Sequence, residues 1–182
     1  MPEFPTEEWF QAFIRAIDAS EEYAEYAAAW EGDVIIQVEA EPDKGLAADV
    51  YGLLDLWHGG CRGGGIVDEA RAEAAEFVVR APYSRWKDVI HGDLEPIKGL
   101  VQGKLRVRGE LPKILRYVKG TQELAYIAGQ VDTTFPDESR VKPLGAFIHA
   151  FAATTDMAPK IPARTIGTPV QKCAQGRMRR HP

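Results

Sequence analysis

The chain has 182 residues, 45% of them hydrophobic and 27% charged, the balance of a soluble globular protein with one domain and a tail. No apolar run approaches the roughly 18–20 residues of a bilayer-spanning helix. With 22 bases against 27 acids the net charge is −5, a poor balance for a nucleic-acid binder.

The charge is unevenly spread. Six bases and no acids follow Met157, which leaves 16 bases against 27 acids in the rest. The expected organisation is a domain over residues 1–157 and a basic, mobile tail over 158–182. The opening "MPEFPTEEWF" carries acids where a signal peptide carries bases, so a cytoplasmic location is expected. Cys61 and Cys173 are expected to be free thiols.

The first predicted helix is "PTEEWFQAFIRAID". Thr6 can cap it, Glu7 and Glu8 suit the positive end of its dipole, and Trp9, Phe10, Phe13, Ile14 and Ile17 share one face. A second helix is expected over "SEEYAEYAAAW", ended by Gly32. The β-branched run "DVIIQVEAE" reads as a strand, "PDKGL" as a turn and "AADVYGLLDLWHG" as a second strand. "GCRGGG" is expected to be a loop. A third strand is predicted over Ala75–Arg80. This order suggests an antiparallel meander with helices on one face.

Next come two short predicted helices. Ser84 is the expected cap of the first, which carries Trp86, Val89 and Ile90. Asp93 is the expected cap of the second, with Pro96 at its third position and Ile97, Leu100 and Val101 on one face. Gly103 stops it. In "KLRVR" Leu105 and Val107 point one way and the three bases the other, a half-buried edge strand. "LPKILRYVKGTQELAYIAG" returns to helix, and "LGAFIHAFAATTDM" is a further short helical candidate.

Little in this order points to catalysis. "HGGCRGGG" fits neither the P-loop nor the dinucleotide fingerprint. His58 and Cys61, with His91 elsewhere, fall short of a zinc ligand set. Asp49 and Asp55 share a strand face but read more simply as solvent-facing acids. No G-x-S-x-G elbow is present. What is abundant is large apolar surface: Trp57, Phe77, Trp86, Val89, Ile90, Leu94, Ile97, Leu100 and Val101. On pattern alone these are core residues.

The stretch "GDLEPIKGLVQGKLRVRGELPKILRYV", Gly92 to Val118, resembles the signature of the sterol carrier protein-2 family, in a microbial branch. A G-x-[LM]-[DEN]-P element, an apolar helical turn and a Gly-Lys-Leu-[KR]-[IV]-[KR]-Gly strand follow in that family's order. The likeness extends over roughly Trp9 to Ile127.

The resemblance implies an α+β fold: a five-stranded, mostly antiparallel sheet covered on one face by helices, with an apolar tunnel between the layers. It implies non-catalytic carriage of a fatty acid, fatty acyl-CoA, sterol or phospholipid, with no cofactor and no metal. The expected ligand-binding residues are Trp57, Phe77, Trp86, Val89, Ile90, Leu94, Ile97, Leu100, Val101, Leu105 and Val107, with Gln102 as a polar contact for a head group. Leu144–Met157 would close the tunnel or form a homodimer contact. An accessory role is the alternative. The domain would then present a lipid-like intermediate to a partner enzyme, or its basic tail would dock a partner or an anionic membrane.

Overall fold

A computed structural model describes residues 1–139. The expected closing segment Leu144–Met157 and the basic tail lie outside the described residues. Five strands form one mixed sheet: β1 (Glu31–Glu39), β2 (Val50–Trp57), β3 (Gly60–Val67), β4 (Phe77–Pro82) and β5 (Arg106–Arg108), in the spatial order β3-β2-β1-β4-β5. β1–β2, β2–β3 and β4–β5 are antiparallel, while β1–β4 is parallel. The α+β class with a mostly antiparallel five-stranded sheet is as expected. The simple meander is not, because β4 lies beside β1 on the side away from β2.

The segment "GCRGGGIV" is β3, not a loop. Gly64 and Gly65 are needed for space and for conformation. A Cβ on Gly64 would lie 2.0 Å from the Leu53 carbonyl oxygen, and one on Gly65 would lie 2.4 Å from a Glu7 carboxylate oxygen. Both have positive φ, +152° and +135°, a region that glycine enters freely. α1 (Glu7–Asp18) lies against this strand. Glu7 accepts the Ile66 N–H (2.6 Å), and the Gln11 amide donates to the Gly64 carbonyl (2.9 Å). Helix side chains thus satisfy backbone groups that an edge strand leaves unpaired.

Thr6 caps α1 as expected, its hydroxyl accepting the Trp9 N–H. α2 (Glu21–Tyr26) stops well before Gly32, which lies inside β1. α3 (Glu69–Glu73) carries the crossover from β3 to β4. Asp33 on β1 fastens this crossover, accepting from Arg71 (2.6 Å) and from the Glu76 N–H (2.8 Å).

Two expected caps are corrected. α4 (Tyr83–Ile90) begins one residue before Ser84, whose N–H is taken by the Glu41 carboxylate (2.5 Å). α5 (Pro96–Val101) is capped by Glu95, not Asp93. The Glu95 carboxylate accepts the Ile97 and Lys98 N–H groups, at 3.0 and 2.7 Å. Pro96 therefore occupies the first helical position, where its missing N–H costs nothing. The helix predicted over "LPKILRYVKGTQELAYIAG" is two, α6 (Leu111–Arg116) and α7 (Val118–Gln130), broken at Tyr117. α8 (Pro136–Ser139) ends the described chain.

Strand alternation divides the apolar side chains between the faces. Val34, Ile36 and Val38 join the main core with α1, α2, α4 and α7, while Ile35 and Val78 pack with Ala72 and Ala75 of the crossover on the other face. No helix among the described residues is long and apolar enough to cross a membrane.

Candidate functional site: an apolar cavity between sheet and helices

The main core is not filled. Between the sheet and the helices lies a cavity of about 120 Å³. Its floor is Val34 and Ile36 of β1, Leu54 and Leu56 of β2, and Val79 of β4. Its walls come from every helix of the main core and from α5 and α6. Trp9, Phe13, Tyr23, Trp86, Leu100, Ile114 and Leu124 each contribute.

The walls present carbon because nearly all their polar atoms are engaged in the fold. The Trp9 indole N–H donates to Thr133 Oγ1 (2.8 Å), that of Trp30 to the Gly32 carbonyl (3.0 Å), and that of Trp86 to the Gln37 carbonyl (2.9 Å). The Tyr117 hydroxyl donates to the Ala29 carbonyl (2.8 Å), and the Thr121 hydroxyl to the Tyr117 carbonyl (3.2 Å). Among the described residues no lining residue is charged. Such a space takes apolar matter and repels ions.

Of the twelve sequence-predicted ligand-binding residues, five line the cavity: Trp86, Val89, Ile90, Leu100 and Leu105. Leu105 precedes β5 and tucks under α5, where a Cβ on Gly99 would lie 3.0 Å from its side chain. The other seven lie elsewhere. Phe77 is fully buried against Trp30, with ring centroids 5.3 Å apart, but does not reach the cavity. Leu94 is buried and Ile97 half-buried, and Val107 packs at the margin of the main core.

Val101 is 80% exposed. The inward face of α5 carries Pro96 and Leu100, four residues apart, and Val101 is turned roughly 100° from Leu100 on a 3.6-residue helix. Gln102 is the exposed C-cap of α5 and has no place at the cavity wall. Trp57 lies at the end of β2, 38% exposed, with the Arg62 guanidinium 4.4 Å above its ring.

N-terminal residues, none of them among the expected ligand contacts, supply much of the wall. Phe4, Trp9, Phe13, Tyr23, Ala27 and Trp30 line the cavity, as do Leu124, Ala125 and Ala128 of α7. For those on helices the only signal is an apolar helix face, which core and cavity wall share.

The remaining chemical candidates have structural partners. The His58 ring meets Glu31 (2.9 Å), and the buried Cys61 thiol donates to the Gly63 carbonyl (3.2 Å). Asp55 pairs with Arg62 (2.8 Å), and Asp49 accepts the Ala40 N–H (2.8 Å). Among the described residues no three His, Cys, Asp or Glu side chains are grouped to hold a metal ion.

The profile of the SCP-2 sterol transfer family matches residues 10–119. Among solved structures, the crystal structure of a sterol carrier protein 2 is 36% identical with a TM-score of 0.65, over 70% of this chain and 98% of that one. A conserved hypothetical protein from Thermus thermophilus, a suggested sterol carrier protein, is also 36% identical with a TM-score of 0.65, over 74% of this chain and 93% of that one. No curated protein matches the chain. On the family profile, the extent of these matches and the sheet order, the chain belongs to the SCP-2 sterol transfer family.

Proposed function

We propose that the chain binds one hydrophobic ligand in this cavity and carries it chemically unchanged. The observation that carries this reading is the void itself, lined by uncharged residues at the centre of the fold. Protein interiors are normally close-packed. About 120 Å³ that the protein's own side chains do not fill forgoes on the order of 3 kcal/mol of packing at ~24 cal/mol per Å³. A ligand recovers that.

The magnitudes agree with a carrier. At about 10–15 Å³ per water-sized sphere, the space takes roughly ten groups the size of a methylene. Burying ten methylenes gains about 8 kcal/mol, and refilling the void adds about 3. Association removes at least about 4. The balance, near −7 kcal/mol, is a dissociation constant of roughly ten micromolar, tight enough to load and loose enough to release. A single acyl or alkyl chain fits the cavity as it stands. A sterol, which the names of the related structures suggest, requires the wall to move outward.

Native mass spectrometry of the protein from its host, followed by organic extraction, tests the reading. A stoichiometric apolar adduct is expected. A clean unliganded mass, together with no uptake of a ten-carbon alcohol or fatty acid, overturns it and favours the accessory role with a partner enzyme.

A further inference from the structure

Among the described residues, six side chains that line the cavity carry a polar atom: Trp9, Tyr23, Trp30, Trp86, Tyr117 and Thr121. Five donate to groups of the fold at 2.8 to 3.2 Å. Tyr23 differs. Its backbone N–H is taken by Ser20 Oγ, the cap of α2, but its hydroxyl has no hydrogen-bond partner among the described residues. The residue is only 2% exposed.

A buried hydroxyl without a partner is costly. Yet no buried side-chain polar atom among the described residues is both sealed from space and unpartnered. The Tyr23 hydroxyl is therefore not sealed off, and Tyr23 is one of the residues that border the cavity.

We infer that the Tyr23 hydroxyl is the polar anchor of the cavity, pairing with a neutral oxygen at the buried end of the ligand, an alcohol or an ester carbonyl. This rests on the carrier reading and deepens it by naming the chemistry of one end of the ligand. Gln102, the expected head-group contact, is outside the cavity; Tyr23 is inside it, on a different helix.

The class of ligand end follows from what surrounds the phenol. It can donate one hydrogen bond and accept others. Burial, with a smaller effect from Cys61, pushes its pKa up, so it stays protonated and neutral. Among the described residues no base lines the cavity, so a carboxylate drawn to this depth would be a buried charge without a counter-ion. A hydroxyl or carbonyl oxygen satisfies the phenol and is satisfied by it. An ionised head group belongs at the mouth, in water.

The test uses the full chain and its own reporter, since Trp9, Trp30 and Trp86 line the cavity. Tryptophan emission is followed while 1-decanol, 1-chlorodecane or decanoate is added at pH 7.5. The wild type is expected to bind 1-decanol more tightly than 1-chlorodecane or decanoate. Tyr23→Phe, which removes only the hydroxyl, is expected to weaken 1-decanol about 3- to 10-fold, the effect of one net hydrogen bond. It should leave 1-chlorodecane within about twofold of the wild-type affinity.

Equal affinity of the wild type for 1-decanol and 1-chlorodecane overturns the anchor and needs no variant. So does a Tyr23→Phe protein that binds 1-decanol like the wild type. In both cases the carrier reading stands. If no ligand changes the emission of the wild type, the carrier reading falls and the anchor with it.

Discussion

The ring of Phe10 sits directly on Gly52. A Cβ built at Gly52 would lie 2.0 Å from the ring edge, with two more ring atoms within 2.7 Å. Phe10 is fully buried on α1, and Gly52 pairs with Ile36 in the middle of the sheet. This contact brings α1 down onto β2 beside the cavity. Gly52→Ala is expected to cost about 2–3 kcal/mol as an overpacking substitution. A chain of this size should then melt about 4–12 °C lower. A melting temperature within about 1 °C of the wild type would mean that α1 can lift freely, and that the cavity wall is soft on this side.

Ala125 provides the converse experiment. It lines the cavity from α7, half-buried. Ala125→Leu should place three further carbon atoms in the void. Cavity filling of this kind adds about 0.5–2 kcal/mol, so the unliganded protein should become more resistant to urea. Binding of 1-decanol should weaken by tenfold or more, because protein atoms now occupy its place. A gain in stability with binding unchanged would show that ligand enters elsewhere.

These two sites also show what the sequence reveals and what it hides. Thr6 as a cap, the β-branched run of β1 and the stop at Gly103 are local signals, and local chemistry settles them. The glycines of β3 misled because glycine has low strand propensity. At Gly64 the reason is the Leu53 carbonyl of the neighbouring strand, and at Gly65 it is a helix that begins at Glu7, more than fifty residues earlier. The parallel pairing of β1 with β4 joins Val34 to Phe77, and no short stretch encodes it.

Residue spacing does not distinguish a cavity wall from a packed core. Trp9, Phe13 and Trp30 have the spacing of core residues whether the space before them is full or empty. The family motif located one wall, through Leu100 and Leu105. It left out the opposite wall and Tyr23.

Leu100 and Val101 are adjacent and should behave in opposite ways. Leu100 lines the cavity, whereas Val101 is 80% exposed. Leu100→Ala is expected to cost about 2 kcal/mol, the low end for such a truncation because the site already borders a void. It should also allow a longer chain to bind, which a series of alcohols from eight to sixteen carbons would read. Val101→Ala should change stability by less than about 0.5 kcal/mol and leave the length preference alone. Similar losses in the two variants would overturn the assignment of the inward face of α5.

Three carboxylates set the response to acid. Burial opposes the charge on Asp33, but the Glu76 N–H and Arg71 outweigh it. Burial likewise opposes Glu41, outweighed by Ser84 and Lys44, and Asp137, outweighed by Lys87 (2.7 Å) and the Tyr83 hydroxyl (2.6 Å). All three titrate below their ordinary range in the folded chain. The folded state therefore holds fewer protons than the unfolded state at the same pH. Their stabilisation is complete above the unfolded values of about 4, and is lost as pH falls through those values towards the lower folded ones. The urea midpoint should be flat from pH 7 to about 5 and drop steadily below. Asp33→Asn should lower the midpoint at pH 7, because Arg71 and the crossover at Glu76 lose their acceptor charge. It should also make the acid limb shallower, because one titrating group is gone. An acid limb as steep as that of the wild type would show that the hold of Asp33 on the crossover contributes nothing to stability.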